Sequence, residues 1–476
     1  MNKYKKLVNN SAIFVIGNFG SKIISLVMVP LYTYVLTTSQ YGTVDLFTTT
    51  VSLLVPIMSC SIGEAVLRFV MLTNINKQQR QGVFTSAITL NIVSQLLFSL
   101  IVFPILSYFH IFNGLLIPFI ILLAFSQLQT TLSQYTRGIG KVKFFAVNGI
   151  LMTFITASLN ILLLVVFRLQ VLGYVWSLII ANVFSVVFLF IASDGWHSFS
   201  FSAIDKRLTK KMLVYSIPLI PNMVIWWVIT GSTRYFILLF LGSSVNGLFA
   251  VANKIPSILS IFTTVFQQAW QISAFEEYSS KKSRDFFSNV FRFYYELLFL
   301  GCSLIFIVLR TIIPNIIGTN FQQSWMIMPI LLVSVVYQSF SSFIGTNYTA
   351  SMKTKGVFIS SIIGGIISVL CNLVFIPLFG VIGTGIGTLI SFFVMFLYRF
   401  IDTKKFFEFT LNKDLFIMNN VLVMIQGLLL YFINSTVVIW LTQIFCFLIF
   451  AWIDREVLSL ATKIIRNKIA SFHIKI

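Results

Sequence analysis

The stretch TGSTRYFILLFLGSSVNGLFAVANKIPS, Thr230 to Ser257, reads as two apolar helical runs joined by the tight connection Leu241-Gly242-Ser243-Ser244-Val245-Asn246-Gly247. Each run carries one cation, Arg234 before the turn and Lys254 after it. Insertion of a Lys or Arg at the centre of a membrane helix costs about 2.5–3.5 kcal/mol, so a cation kept there is read first as functional. Lys22, midway along the first apolar run of the chain, is a third. Three cations at bilayer depth, with few acids to answer them, favour an anionic ligand.

The rest of the chain has the same character. Its 476 residues are 58% hydrophobic and only 10% charged, more apolar surface than a soluble fold of this size can hide. The net charge of +20 is spread in short clusters between apolar runs, which reads as membrane topology and not as a nucleic-acid surface. Cys60, Cys302, Cys371 and Cys446 all fall inside apolar runs without C-x-x-C spacing, so no metal, cofactor or disulfide framework is expected. His110, His197 and His473 lie outside the apolar runs and meet no acid cluster or Gly-rich phosphate loop, so no enzyme motif emerges. The basic start Met1–Lys6 precedes an apolar run with no A-x-A cleavage site and is read as leading into a retained first span.

At about 20 apolar residues per crossing, segmentation predicts an all-α polytopic membrane protein of about fourteen spans. They cover 11–36, 43–70, 83–108, 113–136, 144–167, 171–192, 212–240, 246–272, 287–313, 323–350, 357–378, 381–401, 414–433 and 436–453. Most of the 33 Lys and Arg fall in alternate connections, from Lys3, Lys5 and Lys6 to Arg455, Lys463 and Arg466, whereas the opposite connections carry Arg168 alone. The positive-inside rule then places both termini in the cytoplasm of a cell-membrane protein.

The two halves echo each other. Gln134-Tyr135-Thr136 recurs as Asn347-Tyr348-Thr349, and Ser39-x-x-Gly42 recurs as Ser244-x-x-Gly247. The expected organisation is an N-lobe at 1–193 (spans 1–6), an amphipathic cytoplasmic linker at 194–211, a C-lobe at 212–402 (spans 7–12), appended spans 13 and 14 at 403–453, and a basic amphipathic tail at 454–476. All outer connections are short, so the chemistry is expected between helices.

At 100° per residue, span 8 aligns Asn253, Ser257, Thr264 and Gln268 in one arc, span 2 aligns Asp45 with Thr49 and Ser52, and span 1 aligns Asn18 with Lys22. Helix-to-helix hydrogen bonds explain any one of these residues. Long stripes that also carry a charge point instead to a wet cavity, lined by Asn18, Asp45, Asn253, Ser257, Thr264 and Gln268. Glu64 with Arg68 and Arg292 with Glu296 have i, i+4 spacing. They read either as intrahelical ion pairs or as an inner gate, with Glu64 or Glu296 taking up a coupling proton.

Several motifs resemble the polysaccharide (oligosaccharide) flippases of the multidrug/oligosaccharidyl-lipid/polysaccharide exporter superfamily. They are Asn9-Asn10-Ser11, Tyr41-Gly42, Gly63 through Arg68-Phe69, Ile217-Pro218-Leu219-Ile220-Pro221-Asn222, Arg234-Tyr235-Phe236-Ile237 and Ala252-Asn253-Lys254. The resemblance implies alternating access by two lobes that move an undecaprenyl-diphosphate-linked oligosaccharide to the outer leaflet for capsule, O-antigen or exopolysaccharide synthesis. It implies a proton or sodium as coupling ion, membrane lipids as partners, a polymerase and chain-length proteins nearby, and a lipid-tail groove along spans 13 and 14. Lys22, Arg234 and Lys254 would then hold the diphosphate. Family members often carry an acid just before the span 7 arginine; here it is Thr233, which leaves the expected cavity more positive. The rival readings are a multidrug exporter, which would want mid-depth acids, and a lipid II flippase. A membrane-embedded glycosyltransferase would need a sizeable outer loop.

Overall fold

At bilayer depth no water competes for backbone groups, so long Leu, Ile, Val and Phe runs satisfy every N–H and C=O internally as helices. The computed structural model describes residues 3–71, 77–108, 112, 114–278, 283–351, 353–407, 410–456 and 459, with the side chains of 3–18, 272, 276 and 354 outside that set. These residues form helices and short turns, with no strand among them. Twelve helices among them are long and apolar enough to cross a membrane, and a bent pair, Ser243–Ala252 with Lys254–Phe275, makes a thirteenth. The part of the first helix whose side chains are described, Phe19–Val35, is a shorter apolar helix, so the expected count of about fourteen is approximate. The protein is a multi-pass membrane protein of the expected all-α class.

Two compact units emerge from the packing. The first comprises Met1–Leu238 with Gly242–Gly247, the second Leu239–Leu241 with Leu248–Ile476. This division does not follow the expected lobe limits at 193 and 212, because the seventh apolar segment packs on the second one, inside the first unit.

In the first unit, α1 (Lys3–Val35) leads to α2 (Thr38–Met58), whose N-terminus is closed by a reciprocal capping box between Thr37 and Gln40. Cys60 and Ser61 adopt left-handed conformations after Pro56, and the expected single span 43–70 is broken there into α2 and α3 (Ile62–Val70). Next come α4 (Lys77–Tyr108), α5 (Leu116–Gly138), α6 (Val142–Asn160), which runs on as a wider turn over Ile161–Val166, and α7 (Gln170–Ala192). The short α8 (Gly195–Ser198) and α9 (Lys206–Ser216) lead into α10 (Ile220–Gly231), then α11 (Thr233–Leu241), whose residues after Leu238 count with the second unit, and α12 (Ser243–Ala252), which belongs to the first unit only as far as Gly247.

One core of the first unit joins Phe47, Phe119, Leu123 and Ile179; another joins Val66, Phe84, Tyr135, Leu189 and Met212. Buried amides and hydroxyls tie the helices where dispersion alone is weakly selective. Asn160 donates to the Tyr32 hydroxyl at 2.9 Å and accepts from Ser177 at 2.6 Å, and Asn91 donates to Thr131 at 2.7 Å. The expected linker helix, α9, seats Met212 and Leu208 in the second of these cores while Lys206, Arg207, Lys210 and Lys211 stay exposed.

The second unit holds α13 (Lys254–Glu277), α14 (Ser283–Leu309), the short α15 (Ile313–Ile316), α16 (Met328–Ala350), α17 (Thr354–Phe379), α18 (Val381–Thr403), α19 (Lys413–Phe432) and α20 (Thr436–Ile453). Its core is aromatic: Phe291, Phe299, Phe340, Phe396 and Phe416 stack in offset and edge-on pairs. Nearly all of the expected tail at 454–476 lies outside the described residues.

Candidate functional site

The cation that begins the quoted stretch is not unanswered. Arg234 sits in the first turn of α11 and donates from Nε to Asp45 Oδ2 on α2 at 2.5 Å, both side chains being about 15% exposed. Its Nη1 also donates to the Thr230 carbonyl at 2.9 Å. Two further contacts hold α2 in place: Trp227 Nε1, in the helix before α11, donates to the Thr49 carbonyl at 3.0 Å, and Thr50 and Tyr235 share a hydroxyl bond of 2.6 Å; the Trp227 and Tyr235 rings meet edge-on. The expectation of a more positive cavity around Arg234 is therefore corrected. The acid missing at Thr233 is supplied by Asp45, so Asp45 is a charge partner and more than a polar lining residue.

Lys22 is exposed on α1, next to Ser21, which lies against Gly149 of α6. The side chain of Asn18 lies outside the described residues. Glu64 accepts from Gln134 Nε2 at 3.1 Å across to α5, while Arg68 is exposed. No ion pair joins Glu64 to Arg68 among the described residues, so the intrahelical reading fails for this pair.

Where the two echoing motifs meet, backbone touches backbone. Ser39 and Ser243 share a hydroxyl bond of 2.7 Å, and Asn246 donates to the Gly42 carbonyl at 2.7 Å. A Cβ on Gly42 would lie 2.0 Å from the Ser243 carbonyl oxygen, and one on Gly247 would lie 2.0 Å from the Thr38 oxygen. Small residues permit this approach, and nothing larger fits.

In the second unit, Lys254 opens α13 half-buried. Asn253 and Ser257 bond back to their own helix through the carbonyls of Phe249 and Lys254. Farther along α13 a cavity of about 250 Å³ opens, lined by Thr264, Gln267, Gln268, Gln271, Tyr294 and Gln338 among others. No charged side chain lines it. Thr264 and Gln268 line this cavity, whereas Asn253 and Ser257 do not. Gln267 Nε2 is fixed by the Ser342 carbonyl at 3.1 Å and the Thr346 hydroxyl at 2.8 Å, and its buried Oε1 has no protein partner. An array of hydroxyls and amides beside a Tyr294 ring can donate to and accept from a polyol.

Arg292 and Glu296 do pair, Nε to Oε1 at 2.7 Å, and Arg292 also reaches Glu456 at 2.9 Å. Glu296 is wholly buried, with Oε2 unpartnered. Just beyond α20, Asp454 is buried against Asn419 Nδ2, 3.2 and 3.3 Å away. Burial pushes its carboxyl up to about 7, against the Asn419 hydrogen bond and with the nearby Glu296 charge adding to the rise. One arginine thus answers three carboxylates.

Residue type alone gave no role to several other groups. Arg399 on α18 is buried and donates to Ser360 Oγ, the Ser341 carbonyl and Ser361 Oγ at 2.8, 2.8 and 3.2 Å, binding α16, α17 and α18 together. Arg310 caps the end of α19 through the carbonyls of Leu430 and Ile433 and lies over the Trp325 ring. Both arginines stand in apolar runs, and that was the available signal. An apolar groove of about 240 Å³ runs between α14, α16, α18 and α19, lined by Phe306, Val333, Leu389, Val423, Leu428 and Tyr431 among others.

The family model described as "Polysaccharide biosynthesis protein" matches residues 7–271. No curated protein matches the sequence significantly. Among solved structures, one described as lipid II flippase MurJ in an inward closed conformation superposes with a TM-score of 0.71 at 16% identity, covering 94% of this chain and 100% of that one. An inward-facing multidrug resistance MATE family transporter of the MOP superfamily gives 0.66 at 13% identity, covering 82% and 94%. A MOP superfamily transporter from Pyrococcus furiosus, described as having a binding pocket of reverse polarity, gives 0.58 at 13% identity, covering 84% and 96%. At these identities the likeness is one of fold.

Proposed function

Since the chain belongs to the polysaccharide biosynthesis protein family, we propose that it flips polyprenyl-diphosphate-linked oligosaccharide repeat units across the cell membrane by alternating access, both termini being cytoplasmic. The observation that carries this reading is the uncharged cavity along α13, whose hydroxyls, amides and Tyr294 ring suit a sugar and offer an organic cation no carboxylate. The lobes at 1–193 and 212–402 are the moving bodies.

In this mechanism Lys22 and Lys254 draw the diphosphate into a low-dielectric path and replace the water it loses. Arg234 enters that path only when Asp45 releases it. The apolar groove beside α19 holds the polyprenyl tail, with α20 completing the appended pair. Glu64, Arg68, Arg292 and Glu296 form the inner gate, and Glu296 with Asp454 takes up the coupling proton. A polymerase and chain-length proteins receive the product.

A second reading has one specific observation behind it, the fold shared with a protein described as a lipid II flippase. Reconstitution separates the two. The purified protein in liposomes is given a fluorescent polyprenyl-diphosphate oligosaccharide, lipid II, or a cationic dye. Translocation of the first is expected at a rate at least ten times that of the others; preferential movement of lipid II or of the dye defeats the proposal.

A further inference from the structure

A concave pocket of about 650 Å³ opens at the end of the first unit formed by the start of α4, the end of α5 and α8. This volume is within the range of about 300–1,000 Å³ typical of small-ligand sites. Lys77 and Arg80 face it from the first turn of α4, and Lys141 faces it from the turn between α5 and α6. His197 of α8 lines it too. We propose that this pocket binds a phosphate group, and that the anionic phospholipid headgroup is its natural source.

Three observations support the assignment. The cations come from separate elements yet converge on one cavity, which a scattered positive-inside charge would not require. Three fixed cations face a single carboxylate, Asp194, and that carboxylate is already engaged with His197 Nδ1 at 2.7 Å. The frame is also cross-linked in advance. Lys141 Nζ donates to the Ala192 carbonyl at 2.8 Å, Gln81 Nε2 to the His197 carbonyl at 2.7 Å, and Tyr135 Oη to Ser198 Oγ at 3.2 Å. Lys141, held in this way, loses little freedom when a phosphate oxygen arrives.

The lipid source is favoured by the rim. Trp196 is 78% and Phe201 74% exposed on or next to α8, and Trp196 packs edge-on against Phe190. Exposed aromatic rings of this kind sit at headgroup level, which places the cavity mouth beside lipid phosphates. The site is separate from the α13 cavity and does not depend on what that cavity carries.

The test uses the full chain in detergent, freed of native lipid, with unfolding followed by tryptophan fluorescence. Phosphatidylglycerol, phosphatidylcholine and inorganic phosphate are titrated against the wild type, the pocket variant Arg80→Gln/Lys141→Gln, the milder Lys77→Gln, and Lys210→Gln/Lys211→Gln as an exposed-charge control. Phosphatidylglycerol is expected to raise the unfolding temperature of the wild type and the control, and phosphatidylcholine to leave it unchanged. The pocket variant should need at least tenfold more phosphatidylglycerol, and Lys77→Gln an intermediate amount. Competition by millimolar inorganic phosphate would assign the pocket to soluble phosphates in place of lipid and overturn the headgroup claim. An unchanged phosphatidylglycerol response in the pocket variants, or an equal loss in the control, would overturn the site.

Discussion

The Asp45–Arg234 pair makes the sharpest energetic prediction. Its atoms are 2.5 Å apart and its side chains about 15% exposed, so the two charges sit at an intermediate dielectric. With charge centres about 4 Å apart and an effective dielectric of about 20, their attraction is about 4 kcal/mol before desolvation is subtracted. Deleting one partner strands the other, so Asp45→Asn or Arg234→Gln should each cost about 3 kcal/mol. The double variant strands neither and should cost about 3–4 kcal/mol, not 6, a coupling of about 2–3 kcal/mol. Reversible unfolding in mixed detergent and SDS micelles measures the cycle, with Trp227 as a local reporter because it bonds Thr49 and packs on Tyr235. Additive losses, with a coupling below about 0.5 kcal/mol, would refute the pairing, since independent sites add within that margin.

Two further perturbations follow from the same geometry. Asp454 titrates near 7 when folded against an ordinary 3.8, so the folded state holds the proton more tightly. That contribution is complete below about pH 4 and fades as pH rises to about 7, a loss of about 3 kcal/mol between pH 5 and pH 8 at 1.36 kcal/mol per unit. Asp454→Asn should flatten the pH dependence of unfolding and leave the variant more stable than the wild type at pH 8; an unchanged slope would show that the carboxyl is solvated. Gly42→Ala should force α2 away from the Ser243–Gly247 backbone, because its Cβ would lie 2.0 Å from a carbonyl oxygen. The expected loss is about 2–3 kcal/mol, read as a lower unfolding temperature, and a wild-type value would mean that the helices do not touch there.

Most of the helices could be read from hydropathy because a bilayer demands uninterrupted apolar runs, and the boundaries of α5, α7 and α18 fall close to the predicted segments. The breaks inside runs were harder. A proline inside an apolar run, such as Pro56, permits a bend, but only the left-handed Cys60 and Ser61 show that one apolar segment becomes two helices. Asp45 stood out as an acid on a polar stripe, yet no local rule pairs it with a residue 189 positions away. The repeated Ser-x-x-Gly motifs suggested internal duplication, but not that the two copies would lie against each other. Arg399 shows the opposite limit: an arginine in an apolar run is visible, whereas its three hydroxyl and carbonyl acceptors come from two other helices.

The central claim is that cations at bilayer depth carry a lipid diphosphate. In liposomes of defined leaflet composition, the rate at which a polyprenyl-diphosphate oligosaccharide becomes accessible to an external lectin is compared for the wild type, Lys22→Ala and Lys254→Ala, each checked for normal insertion. The account predicts at least a tenfold loss in both variants. Wild-type rates in both would contradict it.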